Sequence, residues 1–115
     1  MTPVLERQRS NTYTQTMPLT MPEPAIPSWT FLTNHAHVLV ALSRNSDLRQ
    51  KDIAYNVGIT VGAVHRILAE LEAAGYLTSE RVGRRKHYDV NAKMPMRHPL
   101  EDQHTVHDLI SSLEQ

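Results

Sequence analysis

Arg84, Arg85 and Lys86 follow Gly83 directly, and Arg49-Gln50-Lys51 and Arg66 carry further positive charge earlier in the chain. Guanidinium and ammonium groups grouped in this way suit one chemistry above others, the neutralisation of phosphate oxygens, with arginine adding bidentate hydrogen bonds. The plain alternative for each residue is a solvated loop or helix start. Grouping on one predicted hairpin tip favours the phosphate reading for Arg84, Arg85 and Lys86. Arg49, Gln50 and Lys51 open a predicted helix, where side chains and backbone amides together can meet phosphates.

Seven histidines without a cysteine raise the question of a metal. The pairs are His35/His37, His87/His98 and His104/His107. His104 and His107 lie one helical turn apart near Asp102 and Asp108, a spacing open to nitrogen and oxygen coordination of zinc or nickel. A full ligand set is missing, so both read as surface or cap-region histidines and no metal is assigned. His35 falls on the apolar face of the first helix and is expected in the core. With no cysteine, disulfides and thiolate metal sites are excluded. The sequence holds no phosphate-cradling glycine loop, and Ser111 and Ser112 have no positioned base. The expectation is a protein that is not an enzyme and carries no cofactor.

The formal net charge is zero, yet its distribution is uneven. Between Arg44 and Lys93 stand nine lysines and arginines against six acids, and from Met94 onward only Arg97 against Glu101, Asp102, Asp108 and Glu114. Positive charge is thus segregated into the middle of the chain. The 115 residues amount to one domain's worth of material. No basic and apolar run after Met1 resembles a signal peptide, and no stretch is apolar enough to span a bilayer. No membrane partner is expected, and the predicted location is cytoplasmic and nucleoid-associated.

Residues 1–27 contain Pro3, Pro18, Pro22, Pro24 and Pro27 among polar residues and read as a flexible Pro-rich arm. Trp29, Phe31 and Leu32 are expected to tuck under the core. Thr33 then caps a helix over 34–44, with Val38, Leu39 and Leu42 on one face. A second helix over 50–56 turns Ile53, Ala54 and Val57 inward and stops at Gly58. Ile59 plugs the short connection, and Thr60 caps a third helix that continues to Ala74, with Val64, Ile67, Leu68 and Leu71 as its buried stripe. After Gly75 the period changes to two. Strands over 76–81 and 86–90 flank a tip at Val82-Gly83-Arg84-Arg85, where Gly83 permits a positive φ. Past a loop around Pro95 and Pro99, Thr105 caps a final helix. Val106, Leu109, Ile110 and Leu113 line one face of it, for packing on the domain or for dimerisation.

The fold class expected from this order is mainly α with a small β-hairpin wing, a winged helix-turn-helix over 28–93 followed by a connecting loop and C-terminal helix over 94–115. Ile53-Ala54, Val57-Gly58-Ile59-Thr60, Ala63-Val64-His65-Arg66-Ile67-Leu68 and Leu71-Glu72-Ala73-Ala74-Gly75-Tyr76-Leu77 carry a further resemblance. Together they resemble the winged-helix cores of MarR-like and ArsR-like transcriptional regulators, over about 33–90. The resemblance implies a homodimer that binds double-stranded DNA as a transcriptional regulator and often responds to a small molecule or metal. It also implies a recognition helix, 60–74, in the major groove and the wing, 76–90, on the backbone. Carried across position by position, base contacts fall to Thr60, Val61, Gly62, Ala63, His65 and Arg66. Val61, Gly62 and Ala63 offer methyl contacts and no bidentate hydrogen bonds, so direct readout rests on His65 and Arg66, with groove shape as the other route. Two alternatives stay open: a winged-helix module that binds protein, and a ligand- or metal-responsive repressor.

Overall fold

The computed structural model describes residues 26–114. In chain order it contains α1 (Asn34–Arg44), α2 (Gln50–Val57), α3 (Val61–Ala73), β1 (Leu77–Val82), β2 (Arg85–Val90) and α4 (Val106–Leu113). Threonine hydroxyls start three of the helices: Thr33 accepts from the Ala36 N–H at 3.3 Å, Thr60 from Ala63 at 3.1 Å and Thr105 from Asp108 at 3.2 Å. Each satisfies an amide that has no partner within its own helix. Gly58 ends α2 at φ 85°, in the left-handed region. A Cβ at Gly58 would also lie 2.6 Å from the Ile26 side chain, so the incoming chain occupies the space this glycine leaves free.

The core forms where three helical stripes meet. Val38, Leu39 and Leu42 of α1, Ile53, Ala54 and Val57 of α2, and Val64, Ile67, Leu68 and Leu71 of α3 are all buried. Their spacing of three and four residues puts each set on one helix face. Leu77 and Tyr88 extend this core into the hairpin. β1 and β2 pair antiparallel from Leu77 opposite Val90 to Val82 opposite Arg85, leaving Gly83 and Arg84 as a two-residue turn. Gly83 sits at φ 66°, as that turn requires. The Tyr88 N–H donates to the Ser46 carbonyl at 3.1 Å and joins β2 to the loop between α1 and α2.

After β2 the chain doubles back on itself. Met96 N–H donates to His104 O at 3.0 Å and Val106 N–H to Met94 O at 2.9 Å, while the Tyr76 hydroxyl donates to Pro95 O at 2.5 Å. This clip sets α4 against the helical core. Val106 is 2% exposed and Ile110 packs beside it, whereas Leu113 at the far end is 37% exposed. Among the described residues no helix is long and apolar enough to cross a membrane.

Two packing expectations fail. Trp29 and Phe31 do not tuck under the core; they are 67% and 92% exposed and meet each other edge to face at 5.0 Å. The α1 stripe is already closed by α2 and α3, and the segment ahead of Thr33 runs over the end of α2 instead. His35 is not a core residue either. It stands half-exposed, with Nε2 2.6 Å from Glu70 Oε1 of α3, because a polar ring gains more from a carboxylate at the rim than from an apolar interior. The proposed arm lies outside the described residues apart from residues 26 and 27.

Candidate nucleic-acid interface

α3 buries Val64, Ile67, Leu68 and Leu71 and turns the opposite face outward. Thr60, Val61, Gly62, His65 and Arg66 are exposed there, and Ala63 is half-buried. The Thr60 hydroxyl is engaged as the helix cap. Val61 is 48% exposed, an apolar side chain at the leading edge of the helix. A Cβ on Gly62 would approach only the Thr60 hydroxyl, at 4.0 Å, so the bare first turn is not demanded by packing.

Arg66 does not stand alone. Its Nη1 lies 3.7 Å from Glu70 Oε2 one turn along α3, and the other oxygen of Glu70 meets His35. The His35 hydrogen bond, assisted by the Arg66 charge, holds the Glu70 carboxyl below its ordinary value. Glu70 thereby links the exposed face of α3 to α1. Sequence periodicity does not reveal this link, because His35 and Glu70 stand 35 positions apart.

The wing and the start of α2 come together. Arg49 and Gln50 share one cleft of about 220 Å³ with Arg84, Arg85 and Lys86, and Tyr88 and Asp47 complete its wall. Five of the six residues proposed for phosphate contact thus line one basic cleft. Lys51 is exposed on the same first turn but does not line the cleft. Arg81 stands directly across the hairpin from Lys86 and adds to the charge of the wing. Arg85 is partly committed, since its guanidinium donates to the Asp47 carbonyl at 2.5 Å.

The pairing of Asp47 with His87 is absent from the sequence reading, which sets His87 only beside His98. In the structure Asp47 Oδ1 lies 2.9 Å from His87 Nδ1. Forty positions separate them, and no local spacing announces the pair.

Of the pair His104 and His107, the first joins the cap of α4. His104 Nδ1 lies 3.3 Å from Asp108 Oδ2, and the same carboxylate accepts from the Thr105 N–H at 3.0 Å. The Thr105 amide, aided by the His104 hydrogen bond, holds the Asp108 carboxyl below its usual value. His107 faces Ser111 at 3.2 Å. Among the described residues no group of three or more histidines, cysteines or acids is placed to hold a metal ion.

On the far side of α1 and α3 lies a larger cavity of about 700 Å³. Leu39, Leu71, Ala74, Tyr76, Val106 and Leu109 supply much of its apolar wall, with Glu70, Glu101 and Arg97 bringing charge to the lining and His35 a polar ring.

The family model described as MarR family matches residues 30–86, about half of the chain, from just before α1 into the second wing strand. No curated protein matches the sequence. Among solved structures, the chain is similar to MepR, a transcription regulator of the Staphylococcus aureus multidrug efflux pump MepA. The TM-score is 0.49 and the identity 20%, over 70% of this chain and 55% of that one. The chain therefore spans little more than half the length of that protein. With four helices, a two-stranded wing and the family match over residues 30–86, this chain carries the winged-helix core of the MarR family.

Proposed function

We propose that the chain binds double-stranded DNA as a transcriptional regulator, with α3 in the major groove and the hairpin wing on the adjoining backbone. The observation that carries this reading is the cleft in which Arg49 and Gln50, at the start of α2, face Arg84, Arg85 and Lys86 of the wing. Cations from two separate elements converge beside a helix whose outer face is exposed, and such an arrangement suits a polyanion that also presents a groove. The reading places the protein in the cytoplasm beside the nucleoid, acting by binding rather than catalysis. A homodimer belongs to it, with Leu113 as the exposed end of the α4 stripe. Light scattering should then give twice the 13.1 kDa chain mass. Arg84→Ala combined with Lys86→Ala should weaken binding to all duplex sequences alike and reduce the salt slope by about two. An unchanged slope would remove the wing from the interface.

A second reading concerns regulation. The cavity of about 700 Å³ is large enough for a small organic effector and abuts Glu70, which also touches Arg66. A molecule seated there would bear on the recognition helix through that carboxylate. Benzoate and benzylamine, as an aromatic anion and an aromatic cation, should raise the unfolding midpoint if the cavity is used. No shift with either would leave the cavity without this role.

A further inference from the structure

The imidazole of His87 has a carboxylate at each nitrogen. Nδ1 lies 2.9 Å from Asp47 Oδ1, and Nε2 lies 3.3 Å from Asp89 Oδ1. A neutral imidazole has one N–H, so it can donate to one of these acids and must turn a lone pair to the other. Only the imidazolium donates to both. The surroundings favour that form. Glu80 of β1 stands opposite His87 across the hairpin, so acids from the α1–α2 loop, β1 and β2 ring the site. Lys86 precedes His87 on the opposite face of the strand, and the nearest cation on the same face is Arg85, two positions earlier, which is turned to the Asp47 carbonyl. Arg49 of α2 lies beyond, where it lines the cleft with Asp47. The Asp47 hydrogen bond, with the nearby charges of Asp89 and Asp47, raises the His87 pKa above the ordinary histidine value.

Three hydrogen bonds reach from β2 to the α1–α2 loop: Tyr88 N–H to Ser46 O, Arg85 to Asp47 O, and His87 to the Asp47 carboxylate. Two of them end on Asp47, one on its carbonyl and one on its carboxylate, and the carboxylate bond is the stronger when the imidazole is protonated. Arg85 and His87 flank Lys86 on β2, and Arg85 directly follows Arg84; Arg84 and Lys86 both line the basic cleft.

We propose that His87 and Asp47 form a proton-dependent clasp that positions the wing, holding Arg84 and Lys86 against Arg49 so that duplex DNA binds more tightly when the clasp is protonated. The proposal rests on the DNA-binding reading above. His87 does not line the cleft and acts through its neighbours. Losing the proton removes a positive charge from the wing and leaves one carboxylate facing a lone pair, so both effects weaken DNA binding as pH rises.

His65 lies on the exposed face of α3 proposed for base contact, so the test is made in a His65→Gln background. Imidazole nitrogen NMR on the full chain reads the protonation of His87. Fluorescence anisotropy with a random-sequence duplex, at constant ionic strength, reads affinity between about pH 8 and about pH 6. The expected result is a rise in affinity of about threefold to tenfold towards acid pH, with a midpoint matching the His87 titration. Asp47→Asn should lower the His87 midpoint and flatten the affinity profile. Asp89→Asn, acting on the other nitrogen, should produce a smaller change of the same sign and serves if Asp47→Asn fails to fold.

A duplex that binds with the same affinity across the range, or an acid rise that survives both substitutions, overturns the clasp and leaves the DNA reading intact. A His87 titration at or below the ordinary histidine value overturns it too. No duplex binding at any pH would remove the DNA reading and, with it, the consequence drawn for the wing. The NMR midpoint would still report whether the clasp itself exists.

Discussion

At Gly62 the chain accepts a local cost for which the packing gives no reason. Glycine within a helix is less favourable than alanine by about 0.5–1 kcal/mol, because it loses more backbone freedom on folding. A Cβ at this position meets nothing closer than 4.0 Å. Gly62→Ala should therefore stabilise the fold by about 0.5–1 kcal/mol in denaturant unfolding. If the first turn of α3 lies against DNA, the same substitution should weaken duplex binding while raising stability. An equal or higher affinity would show that the bare turn is not an approach surface. His87 gives a residue-scale prediction of a different kind. Its pKa is raised in the folded chain, so the stability it confers is complete below the ordinary histidine value and is lost as pH rises through the raised one. His87→Gln should remove that alkaline-side decline from the unfolding midpoint.

The helices are the elements most plainly written in the sequence, because each carries its own start, stripe and stop. Thr33, Thr60 and Thr105 sit where a hydroxyl cap belongs, and Gly58 sits where a left-handed residue ends α2. Ile53 and Leu42 come from separate stripes and are both fully buried. Leu42→Ala should accordingly cost about 2–5 kcal/mol, read as a lower urea midpoint with an unchanged slope. The hairpin is legible for a similar reason, since Gly83 marks its turn and the apolar period changes after Gly75. What joins these elements is less legible. The clip between 94–96 and 104–106 has no periodicity, the His35–Glu70 and Asp47–His87 pairs span most of the helix-turn-helix, and Trp29 and Phe31 look apolar enough to be buried. Local pattern decides which residues share a face. Only the assembled fold decides which faces meet.

On the scale of the whole molecule, α4 illustrates that division. Its stripe invites either self-packing or dimerisation, and the structure commits Val106 and Ile110 to the chain's own core while Leu113 stays exposed. Leu113→Asp should then lower the dimer fraction in light scattering with little loss of monomer stability, whereas Val106→Asp should unfold the chain. An unfolded Leu113→Asp would contradict this assignment of the two ends. The net charge of zero conceals a basic wing and an acidic tail. The central claim is that this segregated charge meets a duplex. It is tested most directly by titrating salt against binding of the unmodified chain to double-stranded DNA. Tight binding is expected at low ionic strength, with a linear fall of log affinity with log salt and a slope of several counterions. Absence of binding at low ionic strength, in a folded chain, would contradict it.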